Sequence, residues 1–197
     1  MNTFTSSICL ITENVYRRIY GKSYKVDCTI PRDELRYVCV SHYGFDGQIH
    51  CGELIIHRKI AEKVVGIFQE LFDAKYPIEK ILLVDEYNAD DIYSMSDNNS
   101  SAFNYRTIEG TTILSNHSSG LAIDINPLYN PYVRFFDGQP SVLPENGTQY
   151  ADRTLDCPYY IHKGDICYCT FIKYGFTWGG EWEHAKDYQH FEIAIGQ

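Results

Sequence analysis

The sequence predicts an α+β fold, a small antiparallel sheet with helices packed on its opposite face. Three patterns carry that prediction. Two alternating segments flank a Gly-containing turn, an apolar helical period follows them, and two short alternating segments recur far downstream. At 197 residues the chain is long enough to bury one sizeable core.

The elements follow in chain order. Residues 1–25 are weakly patterned and read as an N-terminal arm or extension, which leaves residues 26–197 as a single domain. Residues 37–40 and 54–56 are β-branched and apolar, and read as two strands around Phe45-Asp46-Gly47. Ile60, Val64, Phe68, Leu71 and Phe72 recur at helical spacing, so residues 57–75 form an amphipathic helix ended by Pro77. Residues 81–84 are a short buried strand, and the polar, acidic stretch 85–101 reads as loop. Gly120 permits a turn before a strand over 121–125. Alternation there sends Leu121, Ile123 and Ile125 one way and Ala122, Asp124 and Asn126 the other. Residues 127–158 hold five prolines and an Asn146-Gly147 turn, and read as a long irregular excursion that flanks a cleft. A helix is expected over 165–174, closed by Gly175. The last strand, 190–195, turns Phe191, Ile193 and Ile195 inward and His190 and Glu192 outward.

Composition narrows the function. An apolar fraction of 44% and a charged fraction of 22% are those of a globular protein. The net charge of −9 argues against nucleic acid as a partner, since phosphate contacts need clustered Lys and Arg. No apolar run is long enough to span a bilayer, and residues 1–25 show no export signal. The seven cysteines are odd in number and lack CxxC spacing, so they read mostly as reduced core thiols. A monomer is expected. The 17 tyrosines suit either core packing with a wet hydroxyl or contacts to a polar ligand.

Chemistry concentrates in two separated segments, Ser115-Asn116-His117-Ser118-Ser119-Gly120-Leu121-Ala122-Ile123-Asp124 and Lys186-Asp187-Tyr188-Gln189-His190-Phe191-Glu192. His117, Asp124 and His190 are two imidazoles and a carboxylate, a donor set that suits one zinc ion with a fourth position left for water. Asp187, three residues before His190, can serve as general base on that water. Glu192, on the same face as His190, can orient a ligand imidazole instead. Taken singly, His117 is as readily a surface histidine and Asp124 a strand-end cap. The set is stronger than its members because alternation aims Asp124 and His190 the same way.

Ser115-x-His117-x-x-Gly120-x-Ala122-x-Asp124 followed by Asp187-x-x-His190 closely resembles the two-part zinc motif of the D-alanyl-D-alanine carboxypeptidase family. This is the VanY-like group, which includes phage L-alanyl-D-glutamate endopeptidases. The runs Asn130-Pro131-Tyr132 and Phe176-x-Trp178-Gly179-Gly180 are similar to one branch of it, and the resemblance spans residues 45–191. It implies one Zn2+ held by His117, Asp124 and His190, with Asp187 as the base. It also implies an upstream arginine that stabilises the polarised carbonyl or binds substrate, for which Arg106 is the candidate. Ser115 and Trp178, with Trp182, become candidates for contact with substrate. The implied substrate is the stem peptide of bacterial peptidoglycan, ending in D-Ala-D-Ala for a carboxypeptidase or cut internally by an endopeptidase. Action is implied at the cell envelope or outside the cell, and a phage-type lysis enzyme would need no export signal of its own. A catalytically silent zinc-bearing cell-wall binding module is the alternative of another class. The unligated Asp187 counts against it.

Overall fold

The computed structural model describes residues 3–108, 110–136 and 139–196. Strands β1 (Ser6–Leu10), β2 (Leu35–Tyr43) and β3 (Ile49–His57) form one antiparallel sheet, with helix α1 (Glu13–Ile19) between β1 and β2. Helix α2 (Ala61–Asp73) follows, then β4 (Lys80–Ile81), helix α3 (Asp91–Ser96) and β5 (Asn99–Ser100), with β4 and β5 paired in parallel. Beyond them come β6 (Ala122–Asp124), β7 (Tyr132–Phe136), β8 (Gln139–Leu143), helix α4 (Ile166–Lys173), β9 (Thr177–Trp178), β10 (Ala185–Asp187) and β11 (His190–Glu192). Two more antiparallel sheets result, in the orders β6-β11-β9 and β10-β7-β8. The expected single sheet is thus several small ones. No helix among the described residues is long and apolar enough to cross a membrane.

One core serves both the large sheet and the strands of the motif. Val64, Ile67, Phe68 and Leu71 of α2 pack on Val38, Val40, Leu54 and Ile56, and the same cluster takes in Ile123, Ile125, Phe171 and Phe191. The Phe171 ring of α4 stacks on Phe191 at 4.0 Å, so the helix anchors β11 from behind. The inward half of the predicted alternation is therefore fixed by burial.

Several expectations change. Residues 6–19, read as an arm, supply β1 and α1, and Val15 and Ile19 are buried with Leu35, Ile55 and Phe103 in a second cluster. β1 is an edge strand with exposed side chains, which is why its pattern is faint. The helix read over 57–75 is confined to α2, because His57 still pairs with Leu35 and Lys75 turns left-handed at φ 53°. Segment 85–101 is not plain loop. It holds α3, opened by Asp90 accepting from Tyr93 N at 2.9 Å, and its buried Asp85 accepts from Ser23 N at 3.0 Å and from Ser23 Oγ at 2.8 Å. The proline-rich excursion contains the β7–β8 hairpin, whose Tyr132 pairs with Asp187 of β10. The seven cysteines are all unpaired, and only Cys167 is buried.

Gly120 joins the first motif to the large sheet. Its φ is +66°, its carbonyl accepts from His57 N at 2.9 Å, and a Cβ there would lie 2.7 Å from His57 N. Gly120→Ala is expected to cost about 2 kcal/mol or more, from left-handed strain plus the backbone clash. Urea unfolding checks this, and an unchanged midpoint would contradict the packing described.

Candidate metal centre

His117 lies in a 3-10 turn over Asn116–Ser119, where Ser115 is the N-cap and its Oγ accepts from His117 N at 3.3 Å. Gly120 closes the turn and delivers the chain into β6. Across the sheet Asp124 sits directly opposite His190 in the antiparallel register. Adjacent positions on each strand face the core, so both polar side chains project to the other side.

The three side chains converge. His117 Nε2 lies 3.1 Å from His190 Nδ1 and 3.2 Å from Asp124 Oδ2, while His190 Nδ1 is 3.0 Å from Asp124 Oδ1. Tetrahedral zinc with bonds of about 2.0–2.1 Å spaces its ligand atoms roughly 3.3–3.4 Å apart. Each separation lies within a few tenths of an ångström of that spacing, with one Asp124 oxygen facing each imidazole. All three residues are buried, and among the described residues theirs is the only such grouping of His, Cys, Asp or Glu.

Outer contacts set which nitrogens face the centre. His117 Nδ1 makes a short contact with the Ala102 carbonyl, which can only accept, so Nδ1 carries the proton and Nε2 is free to ligate. His190 Nε2 donates to Glu192 Oε2 at 3.0 Å, which turns Nδ1 inward. Asn116 Nδ2 donates to the same Glu192 oxygen at 2.6 Å. Ligand imidazoles held this way by a carbonyl and a carboxylate are the usual outer arrangement of a zinc site.

Electrostatics without a metal agree with a cation-binding cluster. Burial alone would raise the Asp124 carboxyl, but the two imidazoles outweigh it and hold it far below the usual range. Burial pulls His190 down, yet hydrogen bonds to Asp124 and Glu192 lift it to about 10. The hydrogen bond from His190 holds Glu192 below its ordinary value.

A cleft of about 600 Å³ opens over this cluster, and Arg106, Ser115, Asp187 and Glu192 line it with the three candidate ligands. Asp187 Oδ1 is shielded from solvent and has no hydrogen-bond partner. Burial raises this carboxyl to about 7; His190 opposes that rise and Asp124 adds to it. Gly179 permits the close approach beneath it, since a Cβ there would lie 2.7 Å from Asp187 O. Arg106 pairs through Nη2 with Asp91 Oδ2 at 2.7 Å. Tyr132 and Leu143 of the hairpin strands also line the cleft, so the 127–158 excursion flanks it as expected.

Trp178 is the exception among the expected residues. It is buried in the core, its Nε1 donates to Tyr188 O at 2.9 Å, and it does not line the cleft. Trp182 does, with its ring 5.4 Å from that of His190. Three polar residues at or behind the cleft had no sequence signal pointing to them. Asp91 and Gln189 line the wall, and Ser118 clamps the Arg106 backbone by accepting from its N at 2.9 Å and donating to its O at 2.7 Å.

A sequence model of the family described as D-alanyl-D-alanine carboxypeptidase matches residues 109–193. Over that segment, which is less than half of the chain, the sequence is similar to this peptidase family. The match takes in His117, Asp124, Asp187 and His190, whereas Arg106 lies upstream of it. Comparison with curated proteins and with solved structures gave no match.

Because His190 is held protonated without metal, binding at Nδ1 must expel that proton. Zinc binding near pH 7 is expected to release at least about one proton per ion, and affinity should fall as pH falls. Titration calorimetry in buffers of different ionisation heat measures this. Equal heats in all buffers would show that His190 is already neutral before the ion binds.

Proposed function

We propose that this chain is a zinc-dependent peptidase acting on the stem peptides of bacterial peptidoglycan. Removal of a terminal D-Ala from a D-Ala-D-Ala end is the first choice of reaction. The observation that carries the proposal is the cross-strand triad His117–Asp124–His190, with both candidate ligating nitrogens turned inward, beside a half-buried Asp187 whose Oδ1 is shielded and unpaired. The family of the matched segment supports the substrate class, and it is the substrate that argues for action at the cell envelope or beyond it.

His117, Asp124 and His190 would hold the ion. When bound, zinc supplies a Lewis acid that polarises the scissile carbonyl and makes water a competent nucleophile near neutral pH. Asp187 takes the proton of the attacking water and hands it to the departing amine nitrogen. A carboxyl raised toward 7 is poised for both steps. Arg106, on the same cleft wall, stabilises negative charge developing on the carbonyl oxygen or binds a substrate carboxylate. Ser115 and Glu192 position His117 and His190.

One observation favours the endopeptidase reading. Arg106 is the only Arg or Lys among the described residues lining the cleft, and Asp91 already engages it. A free terminal carboxylate therefore meets a partly neutralised clamp, whereas an internal bond needs none. Mass spectrometry of muropeptides after incubation with the zinc-loaded protein, against a chelated control, separates the two. Loss of one D-Ala means carboxypeptidase, and a cut between L-Ala and D-Glu means endopeptidase. No chelator-sensitive cleavage would refute the peptidase.

Asp187→Ala should retain zinc and lose about 10²–10⁴-fold in kcat, whereas His190→Ala should lose both metal and activity. Parental activity in Asp187→Ala would eliminate it as the base. Glu192→Gln should weaken zinc binding by about 10–100-fold, measurable by chelator competition.

A further inference from the structure

Three polar atoms on the cleft wall are shielded from solvent and lack hydrogen-bond partners: Arg106 Nε, Asp187 Oδ1 and Gln189 Oε1. Buried polar groups are nearly always paired, because leaving one unmade is costly. Their gathering in one cleft marks where a ligand supplies the missing partners. Arg106 and Asp187 have roles in the reaction described above. Gln189 has none.

We propose that the Gln189 carboxamide binds a backbone amide of the substrate peptide next to the scissile bond, an inference that rests on the peptidase reading. Gln189 is 1% exposed, so its side chain is not solvated from outside. Its structural duty is met by the main chain, since Gln189 O accepts from Ile125 N at 3.0 Å. The side chain has no bond to any described residue that would give it a structural purpose. Whichever way it is turned, a carboxamide offers one acceptor and one donor group, the complement of a peptide N–H and C=O. It is uncharged, so it suits an amide better than an ammonium or a carboxylate. Position fixes which amide is meant. Gln189 precedes the candidate ligand His190 and follows Asp187 by two residues, and all three line the same cleft. It therefore stands beside the reacting carbonyl and not at a distant subsite.

The test is a cycle between the protein and the peptide backbone. Gln189→Leu, of similar volume, is compared with the parent on a synthetic stem pentapeptide and on versions N-methylated at each peptide nitrogen in turn, with zinc content measured alongside. The leucine variant should keep one zinc and show KM raised about tenfold, the scale of one lost hydrogen bond. In the parent, methylation of one nitrogen should raise KM about tenfold; in the variant the same methylation should add nothing. Gln189→Met takes the place of the leucine variant if that does not fold. An unchanged KM in the zinc-loaded variant, or a methylation penalty equal in both proteins, overturns the proposal. A parent that binds zinc but cleaves no stem peptide defeats the peptidase reading, and this inference with it.

Discussion

The pairing of β6 with β11 sets Asp124 against His190, and most of the site depends on that register. A shift of one residue would turn every side chain of β11 to the opposite face. His190 and Glu192 would then enter the core, and Phe191 would leave the ring of Phe171. The stacked pair at 4.0 Å thus holds the candidate ligand in place from the far side of the strand. Packing energy and chemical geometry are specified by the same alternation, which explains how so short a strand can carry two functional side chains.

Around this register the cleft is rich in carboxylates. Asp91, Asp124, Asp187 and Glu192 line it against a single arginine. Such crowding of like charge in a desolvated place is tolerated because each group has a different environment. Asp124 is held ionised by imidazoles, Glu192 by its bond to His190, and Asp91 pairs with Arg106, whereas Asp187 Oδ1 has no hydrogen-bond partner and burial pushes the carboxyl toward neutrality. Four similar residues are thereby given four different electrostatic states, and in the proposed reaction these suit a ligand, an orienting group, a counter-ion and a proton carrier.

Local periodicity made part of this legible in the sequence. The β2–β3 hairpin, α2, α4 and the inward faces of β6 and β11 follow from apolar spacing, and the facing of Asp124 and His190 follows from those. What stayed hidden depends on contacts distant in sequence. Segment 85–101 looked like solvent-facing loop because its polar residues are buried by hydrogen bonds such as that of Asp85 to Ser23, 62 positions away. The β1 strand showed little pattern because an edge strand exposes most of its side chains. Trp178 beside two glycines reads as a cleft candidate, yet Gly180 packs so tightly over it that a Cβ would lie 2.3 Å from its ring. Gln189 could not be singled out at all, since what distinguishes it is the lack of a partner in the folded chain.

Glu192 bears on how the candidate centre would behave without an ion. One of its oxygens receives both His190 and Asn116, the neighbour of His117, and so clasps the two halves of the motif together across 76 residues of chain. The donors are also fastened to the main core, through Phe191 on one side and the Gly120–His57 bond on the other. Small metallodomains whose ligands assemble only around the ion unfold when it is stripped. Here the ligand geometry is prepaid by the fold. If the cluster holds zinc as proposed, chelation should therefore leave a folded chain that takes the ion up again without refolding.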